Sequence, residues 1–162
     1  MEYEHLDHVF GPIYDKNSEI LILGSFPSVK SREISFYYGH PQNRFWVVLE
    51  KLFDEKVGTT IEERRAFLFK NRIAVWDVIQ SCDIIGSSDS SIKNVVATDL
   101  DIILSRCEIR RIFINGKTAA RLYDKYIKPK IDRKAIVLPS TSPANAAFNL
   151  DKLFEAWKII KL

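Results

Sequence analysis

Two loops hold the side chains whose types could do chemistry. The first begins Gly24-Ser25-Phe26-Pro27-Ser28 and runs on to Tyr37-Tyr38-Gly39-His40-Pro41-Gln42-Asn43-Arg44-Phe45-Trp46. Gly24 lets the backbone turn sharply and approach a ligand closely, and Pro27 stiffens that turn. The paired tyrosines offer rings that can stack on a flat base. The Asn43 amide can both donate and accept, but it does not ionise near neutral pH. Its chemistry is therefore orientation and charge stabilisation, not proton abstraction. Position alone gives Asn43 a second role, as N-cap of a helix starting at Arg44. The other loop reads Leu138-Pro139-Ser140-Thr141-Ser142-Pro143-Ala144-Asn145-Ala146. Small hydroxyl residues and the backbone N–H groups of a following helix suit a phosphate backbone, although Ser-Thr-Ser before a helix is more often a plain cap.

Two further stretches carry polar groups. Asn115-Gly116-Lys117 offers an amide and a cation beside a glycine. Asp77 ends an apolar run, and the polar stretch that follows contains Ser81, Asp83, Ser87, Ser88 and Asp89. Its carboxylates suit acid–base work, or the capping and turning that Asp and Ser commonly do in loops.

The elements that must position these loops follow from the pattern of apolar residues. Four short runs rich in β-branched residues read as buried strands: 19–23 (EILIL), 73–76 (IAVW), 111–114 (RIFI) and 135–138 (AIVL). Helical periodicity appears at 43–53, 60–71, 98–105, 117–126 and 150–158. Strands alternating with helices predict an α/β fold, with a mostly parallel four-stranded sheet inside three α/β/α layers. Ligands of such sheets bind beyond the carboxyl ends of the strands. That places the chemistry in loops 24–43, 77–91, 115–117 and 139–147.

Bulk properties narrow the class. A chain of 162 residues fits one domain, taken as 1–162. Its 24 basic and 21 acidic residues leave a net charge of +3, which permits nucleic-acid binding without arguing for it. Cys82 and Cys107 are isolated and only three histidines occur, so neither a zinc site nor any other metal is expected. Both cysteines read as buried thiols of a reducing compartment. No run reaches the roughly 18 apolar residues of a membrane span, and residues 1–10 lack an apolar signal core. The expectation is an intracellular, cytoplasmic monomer without a cofactor.

Taken together, the two loops resemble those of the uracil-DNA glycosylase superfamily, whose first motif is Gly-x-Asn/Asp-Pro after strand one and whose second is a Pro-Ser loop after the last strand. The stretch Tyr38-Gly39-His40-Pro41-Gln42-Asn43-Arg44-Phe45-Trp46, with Gly24-Ser25-Phe26-Pro27 and the Leu138–Ala146 loop, is most similar to the hypoxanthine (deoxyinosine) branch. The resemblance covers nearly the whole chain. It implies a base-flipping DNA glycosylase that leaves an abasic site, with damaged, deoxyinosine-containing DNA as its partner. Phe26 stands where the wider superfamily has its polar residue, and Leu138 stands where many uracil enzymes have a histidine. Both departures speak against ordinary uracil excision. They agree with the hypoxanthine branch, in which a polar residue farther along the first loop takes over; here that residue is Asn43. The resemblance assigns Gly24, Ser25, Phe26 and Tyr38 to the base, Tyr38 by stacking; Asn115 and Lys117, at the carboxyl end of the third strand, are expected at the base and at phosphate. Ser28, His40, Ser140, Thr141, Ser142, Ala144 and Asn145 are expected on the DNA, with Ala144 and Asn145 near the vacated stack. Three alternatives stay open: a uracil or G:U/T mismatch glycosylase, a DNA-binding member of the fold without catalysis, and a generic small-ligand binder. The last lacks phosphate-cradling glycine spacing.

Overall fold

The computed structural model describes residues 2–161. Its centre is a parallel sheet of four strands, β2 (Ile20–Gly24), β3 (Ile73–Asp77), β6 (Arg111–Asn115) and β7 (Ile136–Leu138), in the order β3-β2-β6-β7. β2 and β3 pair from Ile20↔Ile73 to Gly24↔Asp77, and β6 and β7 end on Asn115↔Leu138. Leu21, Ile22 and Leu23 are fully buried in the central strand, as are Ile73, Ala74 and Val75 beside it. Strands covered on both faces show continuous apolar runs rather than alternation, which is how the sequence announces them.

Helices flank the sheet. α2 (Phe45–Phe53) buries Phe45, Trp46, Val48, Leu49 and Leu52, each worth about 1.5–3 kcal/mol of transfer free energy. It packs on α7 (Leu150–Trp157), with the Phe45 and Trp157 rings edge to face at 6.0 Å. α3 (Ile61–Lys70) opens with a capping box: Glu63 N–H donates to Thr60 Oγ1, and Thr60 N–H donates back to Glu63 Oε1, both at 3.1 Å. The short α4 (Asp101–Leu104) replaces the longer helix expected over 98–105, because Thr98 Oγ1 is tied to the Asp77 carbonyl. α5 (Lys117–Leu122) runs through a wide turn, Tyr123–Ile127, into α6 (Lys128–Ile131).

Residues 77–91 depart from the expected loop. Within one residue of β3 the chain enters β4 (Ile79–Ile84), the centre of a second sheet, β1-β4-β5, with β1 (Glu4–Asp7) and β5 (Lys93–Ala97) antiparallel at its edges. Ser81 and Asp83 are therefore strand residues facing β1 and β5, not loop residues that cap and turn. The edge strands are largely exposed, so they carry little apolar signal. A short helix, α1 (Val29–Ile34), also interrupts the first long loop. Cys82 is buried, which pushes its thiol up to about 11, while Cys107 is half-buried. Among the described residues no helix is long and apolar enough to cross a membrane.

Candidate active site

The carboxyl ends of the parallel strands present Asp77, Gly24 and Asn115 side by side, with Pro139–Thr141 beyond β7. The segment from Tyr38 to Arg44 closes over them. This is the end of the sheet where the fold leaves backbone and side chains free to meet a ligand.

Asn43 is fixed from two sides. Its Oδ1 accepts from the Phe45 N–H at 3.0 Å, capping α2, and from the Thr141 hydroxyl at 2.8 Å. Thr141 Oγ1 accepts in turn from Asn115 Nδ2 at 3.0 Å, and Thr141 N–H donates to Asn115 Oδ1 at 3.1 Å. The result is a directional chain, Asn115 to Thr141 to Asn43, in which each bond polarises the next. Capping and site chemistry, the two roles the sequence offered for Asn43, are compatible: capping uses only the oxygen. With Oδ1 accepting twice, the group of Asn43 left open among the described residues is the Nδ2 amide, a donor.

Thr141 corrects an expectation. It was assigned to the DNA backbone, yet it is 0% exposed and spends its hydroxyl, N–H and carbonyl inside the protein. Ser31, half a turn into α1, is equally buried and accepts from the Gly39 N–H. Ser28 caps α1 by accepting from Ser31 N–H. Asn145 is half-buried, its Nδ2 donating to the Ser140 carbonyl at 3.0 Å. Ser140 and Ser142 brace the same turn, Ser140 Oγ accepting from Ser142 N–H and Ser142 Oγ from Ala144 N–H. Pro143, Ala144, Ala146 and Ala147 form the exposed apex. His40 is exposed, and its Nδ1 accepts from Gln42 N–H, stiffening the loop. Lys117 is exposed at the start of α5.

Tyr38 adopts φ 52°, a left-handed backbone rarely taken by side-chain-bearing residues. The strained turn lays its ring on Phe45, 3.9 Å between centroids and 15° between planes. One face is therefore already stacked, on protein. The hydroxyl points down to the strand ends beside Asn115 and Asp77; the Asn115 amide nitrogen is spent on Thr141, and no described group meets hydrogen-bond geometry with the phenol. Burial, then the Asp77 carboxylate, push its ionisation well above the usual phenol range, so it remains a donor. Tyr37 is buried in the core and donates to the Gly11 carbonyl.

Gly24 is required by this crowding. A Cβ there would lie 2.5 Å from Asp77 Oδ1 and 2.9 Å from the Tyr38 hydroxyl. Ser25 and Phe26 are half-buried behind it. Asp77 itself is 4% exposed, and its other oxygen meets His8 Nε2 at 2.8 Å.

Sequence reasoning missed Arg44. Its guanidinium donates to four carbonyls, those of Thr141, Ser142, Asn145 and Phe148, and pins the whole Pro-Ser loop to the start of α2. The signal was there: a cation at a helix N-terminus opposes the macrodipole and calls for a tertiary reason. His8 was missed because its partner lies 69 residues away. No group of three or more His, Cys, Asp or Glu among the described residues is placed to hold a metal ion.

The open Asn43 amide and the proline-braced loop thus meet at the carboxyl end of the parallel sheet. Residues 12–161 match the family model of the uracil DNA glycosylase superfamily, and the chain belongs to that superfamily. It is a DNA repair glycosylase. A protein of Methanosarcina acetivorans named hypoxanthine DNA glycosylase is 33% identical over 153 residues, covering 93% of this chain and 95% of its own. One of Methanosarcina barkeri with the same name is 32% identical over 138 residues, 84% and 86% of the two chains. A solution NMR structure from M. acetivorans, assigned provisionally as a uracil DNA glycosylase, superposes with TM-score 0.75 at 31% identity, covering 94% and 97%.

Proposed function

We propose that this glycosylase releases hypoxanthine from deoxyinosine in DNA, acting as an intracellular monomer on a base flipped out of the duplex. Water attacks the sugar C1′, the C1′–N9 bond breaks with its electron pair passing to the base, and the attacking water loses a proton. An abasic site remains.

The observation that carries this reading is the orientation of Asn43. Because its oxygen is engaged twice, what it offers the site is an N–H. A donor can hold an acceptor on the departing purine and stabilise the charge that grows there. It cannot take a proton from water. Donors aimed at developing charge are worth about 2.7–4 kcal/mol each where they have been removed.

The polar floor supports the same substrate class. Hypoxanthine differs from adenine at the N1 edge: it carries an N1–H donor and an oxygen acceptor, where adenine has a bare N1 and an amino group. Asp77 Oδ1 over Gly24 is an acceptor for N1–H, and the unpartnered Tyr38 hydroxyl is a donor for the oxygen. Adenine would meet a carboxylate with its own lone pair. Exposed Ala144 and its neighbours would enter the gap left in the stack, and exposed Lys117 and His40 would meet phosphate. Base release from duplexes carrying hypoxanthine, xanthine, uracil, a T mismatch or adenine tests the reading. Hypoxanthine release well above uracil release is expected; the reverse order would assign the chain to a uracil or mismatch enzyme, and tight lesion binding with no release would make it a non-catalytic binder.

A further inference from the structure

His8 is the least expected residue near the site. It follows β1, and its backbone N–H is tied to the Gln80 carbonyl at 2.7 Å, which draws the amino-terminal arm across β4. Its side chain is 1% exposed. Burying an imidazole costs free energy unless its nitrogens find partners, and here only one does. Nε2 lies 2.8 Å from Asp77 Oδ2, while Nδ1 has no partner among the described residues. Three rings hold the imidazole in place: Phe10 at 4.8 Å, Tyr37 at 5.9 Å and Phe26 at 6.0 Å, the first and last edge-on. Phe26, which cannot polarise water, thus has a different use as one wall of this cage.

Asp77 divides its two oxygens between two tasks. Oδ2 accepts from His8, and Oδ1 sits over Gly24 beside the Tyr38 hydroxyl. Among the described residues His8 is the one basic side chain within 4 Å of the Asp77 carboxylate. Without it the carboxylate could rotate about its terminal torsion, which is soft, and neither oxygen would be committed to the pocket.

We infer that His8 is a positioning residue for base recognition: through its Nε2–H it fixes Asp77 so that one carboxylate oxygen always faces the N1 edge of the base. This rests on the hypoxanthine reading, and acts through Asp77 without touching substrate. The arm before the family's first motif is then part of the specificity machinery. His8 has no role on a base that lacks an N1–H.

The test uses the full chain with His8→Gln, His8→Asn and Asp77→Asn, read by single-turnover release at saturating enzyme. Gln places an amide nitrogen where Nε2 sits; Asn stops about one bond short. His8→Gln should keep hypoxanthine release within about threefold of wild type, and His8→Asn should lose about 10- to 100-fold, the range of one buried hydrogen bond left unmade. On a duplex carrying unsubstituted purine, which has no N1–H, the Gln and Asn variants should release base equally. His8→Asn should cost nothing further in the Asp77→Asn background, because the two act as one unit. Equal hypoxanthine rates for Gln and Asn, an equal loss on purine, or additivity with Asp77→Asn would each overturn the inference and leave His8 a core residue. Wild-type protein that releases no hypoxanthine would overturn the function reading instead, and that is measured before any variant.

Discussion

Replacing Thr141 by Val removes one oxygen from the middle of the Asn115–Thr141–Asn43 chain and changes almost nothing in size. Two hydrogen bonds disappear, the 3.0 Å bond from Asn115 and the 2.8 Å bond to Asn43. At about 0.5–1.5 kcal/mol net for each, the loss is about 1–3 kcal/mol. The added buried methyl returns about 0.8 kcal/mol, leaving a net cost of up to about 2 kcal/mol. For a domain of this length that lowers Tm by up to about 8 °C. Asn43 keeps its cap on Phe45 but loses the contact that fixes its amide plane, so its Nδ2 is no longer held in one direction. If the same free energy is lost from the transition state, single-turnover hypoxanthine release falls about tenfold, since 1.4 kcal/mol is one decade. Thr141→Ser keeps the hydroxyl and should retain most of the rate while losing a methyl contact. Release and thermal unfolding measured on both variants decide the matter. A Thr141→Val rate within twofold of wild type, or a Thr141→Ser loss as large, would refute the view that the chain orients Asn43.

Gly24→Ala drives a methyl into Asp77 Oδ1 and the Tyr38 hydroxyl; a cost of about 1–3 kcal/mol in stability and severe loss of base release should appear in thermal melts and excision assays, with duplex binding retained. Tyr38→Phe deletes a buried hydroxyl with no protein partner, so Tm should hold or rise while hypoxanthine release drops about tenfold; because burial and Asp77 raise the Tyr38 ionisation, wild-type release should show no alkaline decline from this phenol up to about pH 10. Arg44→Ala frees the carbonyls of the Pro-Ser loop, and amide hydrogen exchange over residues 142–148 should accelerate, with weaker binding to lesion duplex.

The parallel sheet was legible because its strands are buried on both faces and read as apolar runs; β2, β3, β6 and β7 fall within a residue or two of the segments 19–23, 73–76, 111–114 and 135–138. The second sheet was not, since β4 mixes buried Ser81 and Cys82 with exposed Gln80, and β1 and β5 are exposed edges. Asn43 could be found from its place before an amphipathic helix inside a motif. Which of its atoms is free could not, because that depends on Thr141, buried in a loop whose carbonyls Arg44 gathers from 97 or more residues away. Hydroxyl residues in loops look alike in sequence whether they face DNA, as was expected of Thr141, or the core, where Thr141 and Ser31 lie. The His8–Asp77 pair joins two segments with no local pattern between them.

Asn43→Asp isolates the donor. The substitution keeps an oxygen to cap Phe45 and to accept from Thr141, and an anion at that end of α2 suits the helix dipole, so the fold should be as stable as wild type. Only the N–H is exchanged for an acceptor. Single-turnover release of hypoxanthine from this variant should fall at least about 100-fold with Tm unchanged; release at the wild-type rate from an equally stable Asn43→Asp protein would contradict the account.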